Sequence, residues 1–412
     1  MSRLVIWAVL VVVASGCATG QPCRLATKPV IRKQSIAWHL FDTSVLSQLE
    51  QGFNLVRVVR KAAGIPKPSV NLVDGHVPDS SFLTNRDIEA LSPDAVKRGP
   101  TQPGQVAEPP FVITRLKTEG KTAGFFVTDA KGRRFLFKLD LVDYRELVTG
   151  AEVVTSKFLY ALGYAVPSYE VVLVDVDDLQ LSPELAHNAQ ADLSRLLASR
   201  VREERRPDGQ RSEGVVRVSA SRIIEGEILG PFSFKRHRDC AELRALKLAY
   251  AWVNNTDAKD HNTLLVWTGN QVKGFLIDFG SSLGADAAKG PKNPCEGWVN
   301  QVDLKEWTLE LLTLGLRKTG CDPREQPWSP AVGLFSSRLD PIRWKPYEPN
   351  LAFEEITKAD ARWMAARLAR FSRAQLEAAV AAGQYRDPRD AAWIVEVLEA
   401  RRQAILNAYL TK

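Results

Sequence analysis

The sequence predicts an α+β protein of two lobes, a strand-rich N-lobe followed by a helical C-lobe. Three observations carry this. Short apolar runs separated by glycine-bearing turns occupy residues 111–141, as strands of a meander do. Beyond residue 226 apolar residues recur at helical spacing, and a stretch with four prolines and two glycines, residues 99–110, marks a boundary before both. With 412 residues, 45% hydrophobic and 25% charged, the chain has enough apolar material for two lobes, which excludes disorder throughout.

The N-terminus comes first. Arg3 precedes an apolar run over residues 4–14, too short for a bilayer, which needs about 20 residues, but of the length of a signal-peptide core. The run ends in Ala14-Ser15-Gly16-Cys17, which resembles the lipobox of bacterial lipoproteins. That resemblance implies a signal peptide over residues 1–16, a lipid on Cys17 that makes the membrane a partner, and a place in the cell envelope. Ala18 gives no inner-membrane retention signal, so the expected location is the outer membrane, facing the periplasm. Residues 17–105 read as a tether and a partly ordered lead-in. Besides Cys17 the chain has Cys23, Cys240, Cys295 and Cys321, an even number for a compartment where disulfides persist. Three pairings, and free thiols, are open; Cys295 with Cys321 is the favoured pair, and no spacing matches a zinc site.

Residues 106–225 form the expected N-lobe. Its strands are Phe111-Val112-Ile113, Gly124-Phe125-Phe126-Val127 and the run from Arg134 to Leu139; a helix over residues 144–162, stopped by Gly163, and a strand over 167–176 follow. Residues 177–214, acidic and then mixed in charge, with a turn at Pro207-Asp208-Gly209, read as a solvated insertion before a strand over 215–224. Glu225-Gly226 breaks that strand and opens the C-lobe, residues 226–412. There Leu243, Leu246, Tyr250 and Val253 share one helix face, and Thr357, Ser372 and Asp387 are expected N-caps, the last with Pro388 at the first helical position.

The formal charge of +7 is spread among 48 acidic residues. The most basic stretch, from Arg202 to Arg211, is interrupted by Glu203, Glu204 and Asp208. No nucleic acid is therefore expected as a partner.

The chemistry concentrates after the helix bearing Tyr250. Asn255-Thr256-Asp257-Ala258-Lys259-Asp260-His261-Asn262 is followed by Phe275-Leu276-Ile277-Asp278-Phe279-Gly280. Phosphoryl transfer from ATP needs a carboxylate near the attacking hydroxyl and oxygen ligands for a divalent metal. Asp257 suits the first task, and Asn262 with Asp278 the second. Asp-x-Lys-x-x-Asn resembles the catalytic loop of protein kinases, and Asp278-Phe279-Gly280 their metal-binding motif. Upstream, Lys138 ends an apolar strand and Glu152 lies in the next predicted helix, the order of the kinase lysine and glutamate. The stretch from Glu152 to Pro167 looks like the corresponding helix and turn of HipA-type kinases, and Asn255-Thr256-Asp257 resembles HipA-type and phosphoinositide kinases. Val77-Pro78-Asp79-Ser80-Ser81, Asn85-Arg86 and the region from 110 to 410 are also similar to a group of exported bacterial proteins that supports the fold without naming a substrate.

The resemblance implies a protein-kinase-like fold and ATP with magnesium or manganese. Lys138 would position phosphates, Glu152 would orient Lys138, Asp257 and Lys259 would be catalytic, and Asn262 and Asp278 would hold the metal. Gly120, Lys121 and Gly124 belong to the expected phosphate-covering loop, and Ile224 and Glu225 to the hinge beside the adenine. The loop lacks Gly-x-Gly-x-x-Gly, and no Ala-Pro-Glu follows Gly280. His261 has no second histidine or cysteine at ligand spacing and reads as structural. Three function classes follow: a phosphotransferase acting on an acceptor no motif specifies, an exported pseudokinase serving as a scaffold, and a nucleotidyl transferase that moves AMP.

Overall fold

The computed structural model describes residues 23–30, 35, 38, 41–118, 120, 122–205, 211–314 and 320–411. Cys17, Lys121 and the Pro207-Asp208-Gly209 turn lie outside them. The fold is mixed: a curled, strand-rich sheet in one lobe and a mainly helical second lobe.

The N-lobe sheet contains β1 (Phe111–Leu116), β2 (Gly124–Thr128), β3 (Arg134–Leu139), β4 (Tyr169–Asp175), β5 (Leu179–Leu181), β6 (Arg202–Arg205) and β7 (Arg211–Arg222). Its order is β4-β7-β3-β2-β1-β5, with β6 paired to β7. Period-two alternation gives it two faces. Phe125, Val127, Phe135, Phe137, Val174, Val216 and Val218 are buried on the outer face. Tyr169 and Val171 join the other core, on the inner face.

The helices are α1 (Ser47–Phe53), α2 (Leu55–Ala62), α3 (Pro93–Arg98), α4 (Leu147–Ala161), α5 (Ala186–Ala198), α6 (Ala241–Val253), α7 (Leu304–Leu312), α8 (Leu351–Glu354), α9 (Lys358–Ala369), α10 (Arg373–Ala381) and α11 (Pro388–Tyr409). The α4 helix packs on the inner face of the sheet and is buried on nearly every side, because C-lobe helices cover what the sheet does not. It begins three residues later than its periodicity predicts. The Asp140 carboxylate explains this, accepting from the N–H groups of Glu146 (2.9 Å), Val148 (3.0 Å) and Thr149 (2.9 Å), so it serves as a remote cap.

Two expectations need correction. The insertion is not merely a solvated excursion: β5 pairs in parallel with β1, β6 pairs with β7, and Leu193 and Leu197 of α5 cover the outer face of the sheet. A sheet with two apolar faces requires such a second layer. The lead-in is also more built than its composition suggests. Val77, Phe82, Leu83, Ile88 and Val96 are buried in the main core, and Asn71 and Ser80 donate to the buried Glu242 carboxylate at 2.7 and 2.6 Å. Apart from Val96 in α3, these apolar residues lie along an irregular strap with neither helical nor strand period, so no pattern announced them.

In the C-lobe, α6 is the central helix, with Leu243, Leu246, Tyr250 and Val253 all buried. A three-stranded sheet, β8 (Glu227–Gly230), β9 (Thr263–Trp267) and β10 (Val272–Leu276), in order β10-β9-β8, lies beyond the link between lobes. Thr357 and Ser372 form complete capping boxes, and the Asp387 side chain accepts from the Arg389 N–H. Two disulfides join Cys23 to Cys240 and Cys295 to Cys321. The second is the pairing favoured from sequence; the first ties the N-terminal strap to the start of α6. Among the described residues no helix is long and apolar enough to cross a membrane.

Candidate active site

A cleft of about 900 Å³ opens between the lobes, floored by the Asp257 loop and the Asp278 turn and roofed by β1, β2 and β3. Strand alternation places Leu136 and Lys138 on the cleft side of β3, opposite Phe135 and Phe137.

Lys138 is buried, and its ammonium is divided between two carboxylates. Nζ donates to Oε1 of Glu152 from α4 and, at 3.0 Å, to Oδ1 of Asp278. The second Glu152 oxygen accepts from the Ser219 hydroxyl at 2.5 Å, and Ser219 stands opposite Lys138 in the β3–β7 register. Burial opposes the charge on Lys138, but Asp278 and Glu152 outweigh it and raise its pKa. Burial pushes Glu152 up despite Lys138, whereas Lys138 overcomes burial and holds Asp278 below the usual carboxylate range. Asp278 has φ 61°, a left-handed conformation that costs a non-glycine residue about 1–2 kcal/mol. The conformation aims its carboxylate back toward Lys138, while its N–H donates to the Tyr169 hydroxyl at 3.3 Å.

The Asp257 loop grows from the end of α6. Asn254 (φ 51°) ends the helix, and its side-chain oxygen accepts from Trp344 Nε1 at 3.1 Å. Asn255 Oδ1 accepts from the Asp257 N–H at 3.3 Å, an Asx turn that carries Asp257 out of the helix and into the cleft. Lys259 Nζ lies 2.8 Å from each Asp257 carboxylate oxygen. Burial opposes its charge too, but Asp257 raises it. Asn262 donates Nδ2 to the Asp257 carbonyl at 2.9 Å, which leaves its Oδ1 as the atom that could hold a cation, and its own carbonyl accepts from the Ile277 N–H at 3.0 Å. That bond splices the loop to the strand leading to Asp278. Asn262 and Asp278 both line the cleft and offer only oxygen donors, the set that suits a hard divalent cation.

The remaining predicted positions divide. Gly120 (φ 77°), Lys117, Thr118 and Thr122 line the cleft below β1 and β2, as a covering loop would. Gly124 does not. It pairs with Lys138 across β2–β3, and a Cβ there would meet the Phe137 carbonyl at 2.3 Å, so it is a spacer between strands and not a phosphate contact. Ile223 and Ile224 line the cleft where the chain passes from one lobe to the other, but Glu225 turns outward and pairs with Arg222 at 2.5 Å. The Glu225 side chain thus takes no part in the cleft, which leaves only its backbone for the hinge. His261 lines the cleft near Asn262.

Sequence reading missed a second tier. Buried Lys292 donates to the Asn254 carbonyl (2.9 Å), the Thr256 hydroxyl (2.7 Å) and the Ser281 carbonyl (2.7 Å), which locks the Asp257 loop to the segment after Asp278. Burial lowers its pKa to about 8. Glu296 accepts from Thr256 at 2.9 Å. No motif marks Lys292 or Ser219; only the segment's return past the loop, and the β7 register, bring them in.

No family model matches the chain, and no curated protein matches it. Among solved structures it is similar to the Golgi casein kinase, at 10% identity and TM-score 0.32 over 96% of each chain. It is also similar to the Golgi casein kinase with Mn/ADP bound, at 10% identity and TM-score 0.27, over 92% of this chain and 96% of that one. Superpositions this loose carry no argument about this chain.

Proposed function

We propose that the chain is a kinase-like phosphotransferase that uses ATP and a divalent metal on an acceptor hydroxyl. One observation carries the proposal: Lys138 held on the cleft wall between a helix carboxylate, Glu152, and the turn carboxylate, Asp278, with the Asp257 loop facing them. A charged lysine divided between two carboxylates in a deep cleft is an expensive arrangement for a mere scaffold.

In this mechanism Lys138 binds nucleotide phosphates, and Glu152, fixed by Ser219, keeps its ammonium at the phosphate end of the cleft. Asp257 orients the acceptor hydroxyl and takes its proton; Lys259, beside it, offsets negative charge on the group in transit. Asn262 and Asp278 would hold magnesium or manganese, which when bound neutralises charge on the phosphates. Gly120, with Lys117, Thr118 and Thr122, would cover them.

The same proposal places the protein outside the cytoplasm, anchored through a lipid on Cys17 at the outer membrane and facing the periplasm. Two disulfides support an oxidising compartment.

The test uses the chain from residue 18, which keeps Cys23 and its bond to Cys240. With magnesium and γ-labelled ATP the label should be transferred, and Asp278→Ala should reduce the rate by about 10³-fold or more. Transfer of an α-label would instead assign nucleotidyl transfer. Absence of nucleotide binding by calorimetry, with magnesium or manganese, would overturn both and leave a scaffold.

A further inference from the structure

Among the described residues, exposed large apolar side chains concentrate in two neighbouring segments. In α1, α2 and the chain leaving them, Phe53 (81% exposed), Leu55 (74%), Val59 (66%) and Ile65 (59%) face solvent. In and after α7 the same is true of Trp307, Leu311, Leu312 and Leu314. Gln48 of α1 donates to the Val302 carbonyl at 2.8 Å, just before α7, so the two segments adjoin. Soluble monomers rarely leave so many large apolar groups together in water.

The tether says which partner covers them. Cys17 precedes Cys23 by six positions, a reach of about 21 Å at full extension. Cys23 is bonded to Cys240. The apolar segments are fastened to the same corner of the C-lobe: Val70 donates its N–H to the Asp239 carbonyl at 2.9 Å, Lys67 pairs with Asp239 at 2.8 Å, and Lys235 reaches Glu50 of α1 at 2.8 Å. A lipid on Cys17 therefore brings a bilayer to the side of the molecule where these helices lie.

We propose that α1 and α2, with α7 beside them, form a membrane-contact surface that lays the C-lobe against the lipid headgroups. Phe53, Leu55, Val59 and the α7 leucines enter the interface, as the apolar face of an interfacial helix does. Arg57 and Arg60 do not face lipid as free cations; they are committed to Glu354 and Glu355, which fix α2 to α8. Thr43, just before α1, donates to Glu348 on the cleft wall at 3.3 Å, so a docked surface sets the cleft mouth close to the membrane. The choice of a bilayer over another occupant rests on the lipid at Cys17, which can be tested separately.

The experiment takes the mature chain with Cys17→Ser, so that no lipid is attached, and sediments it with vesicles of phosphatidylethanolamine containing phosphatidylglycerol. The unlipidated chain should partition onto the vesicles, and Phe53→Asp with Leu55→Asp and Val59→Asp should weaken that partition by about tenfold or more. Val106→Asp, at an exposed apolar position in the N-lobe, should leave it unchanged. Thermal midpoints of all variants should match the parent, since every substituted side chain is solvent-facing. An unlipidated chain that stays in the supernatant, or a triple variant that partitions like its parent, would overturn the proposal. So would a dimer by light scattering that the same substitutions disperse, because the surface would then join two copies. Incorporation of labelled palmitate into the parent and not into Cys17→Ser reports on the anchor alone, and so separates its failure from that of the surface.

Discussion

The Lys138–Glu152 pair can be tested by its thermodynamics, without knowing the acceptor. Both side chains are buried, so removing one partner strands the other's charge, at a cost of about 3–5 kcal/mol. Lys138→Met should cost that much near pH 8, because it leaves Glu152 charged with only the Ser219 hydroxyl beside it and the Asp278 carboxylate nearby. Glu152→Gln should cost less, about 1–2 kcal/mol, since Lys138 keeps Asp278 at 3.0 Å. The double variant removes both charges and should lose no more than Lys138→Met alone, giving a coupling energy of about 2 kcal/mol. The pH dependence carries the sharper sign. In Lys138→Met, burial and then Asp278 raise the folded pKa of Glu152 above the unfolded value of about 4.3, opposed only by the smaller effect of the Ser219 hydrogen bond. A raised carboxyl stabilises the fold at low pH and loses that contribution as pH rises through its folded pKa. The gap between wild type and Lys138→Met should therefore widen between about pH 5 and pH 8 in urea titrations. A gap that does not change with pH, or a double variant that loses the sum of the singles, would refute the buried-pair account.

Three further outcomes follow from particular contacts. Gly124→Ala places a methyl 2.3 Å from the Phe137 carbonyl and should cost about 1–3 kcal/mol in denaturant titration; it should also weaken nucleotide binding by moving Lys138, its register partner. Replacing both cysteines of Cys23–Cys240, which closes 217 residues, should cost about 5 kcal/mol by loop entropy, against about 3.5 kcal/mol for Cys295–Cys321, which closes 26. A larger loss from the shorter loop would show that the bond near Glu296 acts through the folded site. Burial lowers Lys292 to about 8, so the folded chain releases this proton before the unfolded one does, and stability rises from about pH 8 toward 10.5. Lys292→Met should flatten part of that rise, with Lys247, also lowered to about 8 by burial, supplying the rest. The same variant should slow turnover while binding nucleotide normally, because Lys292 touches the Asp257 loop and does not line the cleft.

Much of this molecule was legible in its sequence, for a local reason. The meander, α4, α6 and the three C-terminal caps depend on periodicity and on residues within a turn of one another, as Thr357 with Asp360 and Ser372 with Gln375 illustrate. The order Lys138, Glu152, Asp257, Asn262, Asp278 was visible as a motif because the proposed phosphoryl-transfer chemistry would call for given residue types at short spacings within each loop. Gly124 shows the limit: glycine content suggested a ligand contact, but pairing register made it a strand spacer.

Only the tertiary structure could decide that Lys138 bridges two carboxylates 14 and 140 residues away, that Ser219 fixes one of them, and that Lys292 ties the Asp257 loop to the segment beyond Asp278. It also decided that the N-terminal strap is part of the core and that the insertion covers the sheet. Sequence determines what the chain's own period and spacing encode. Contacts between residues far apart in the chain depend on burial, since a charge removed from water must find its partner wherever the fold brings one within reach.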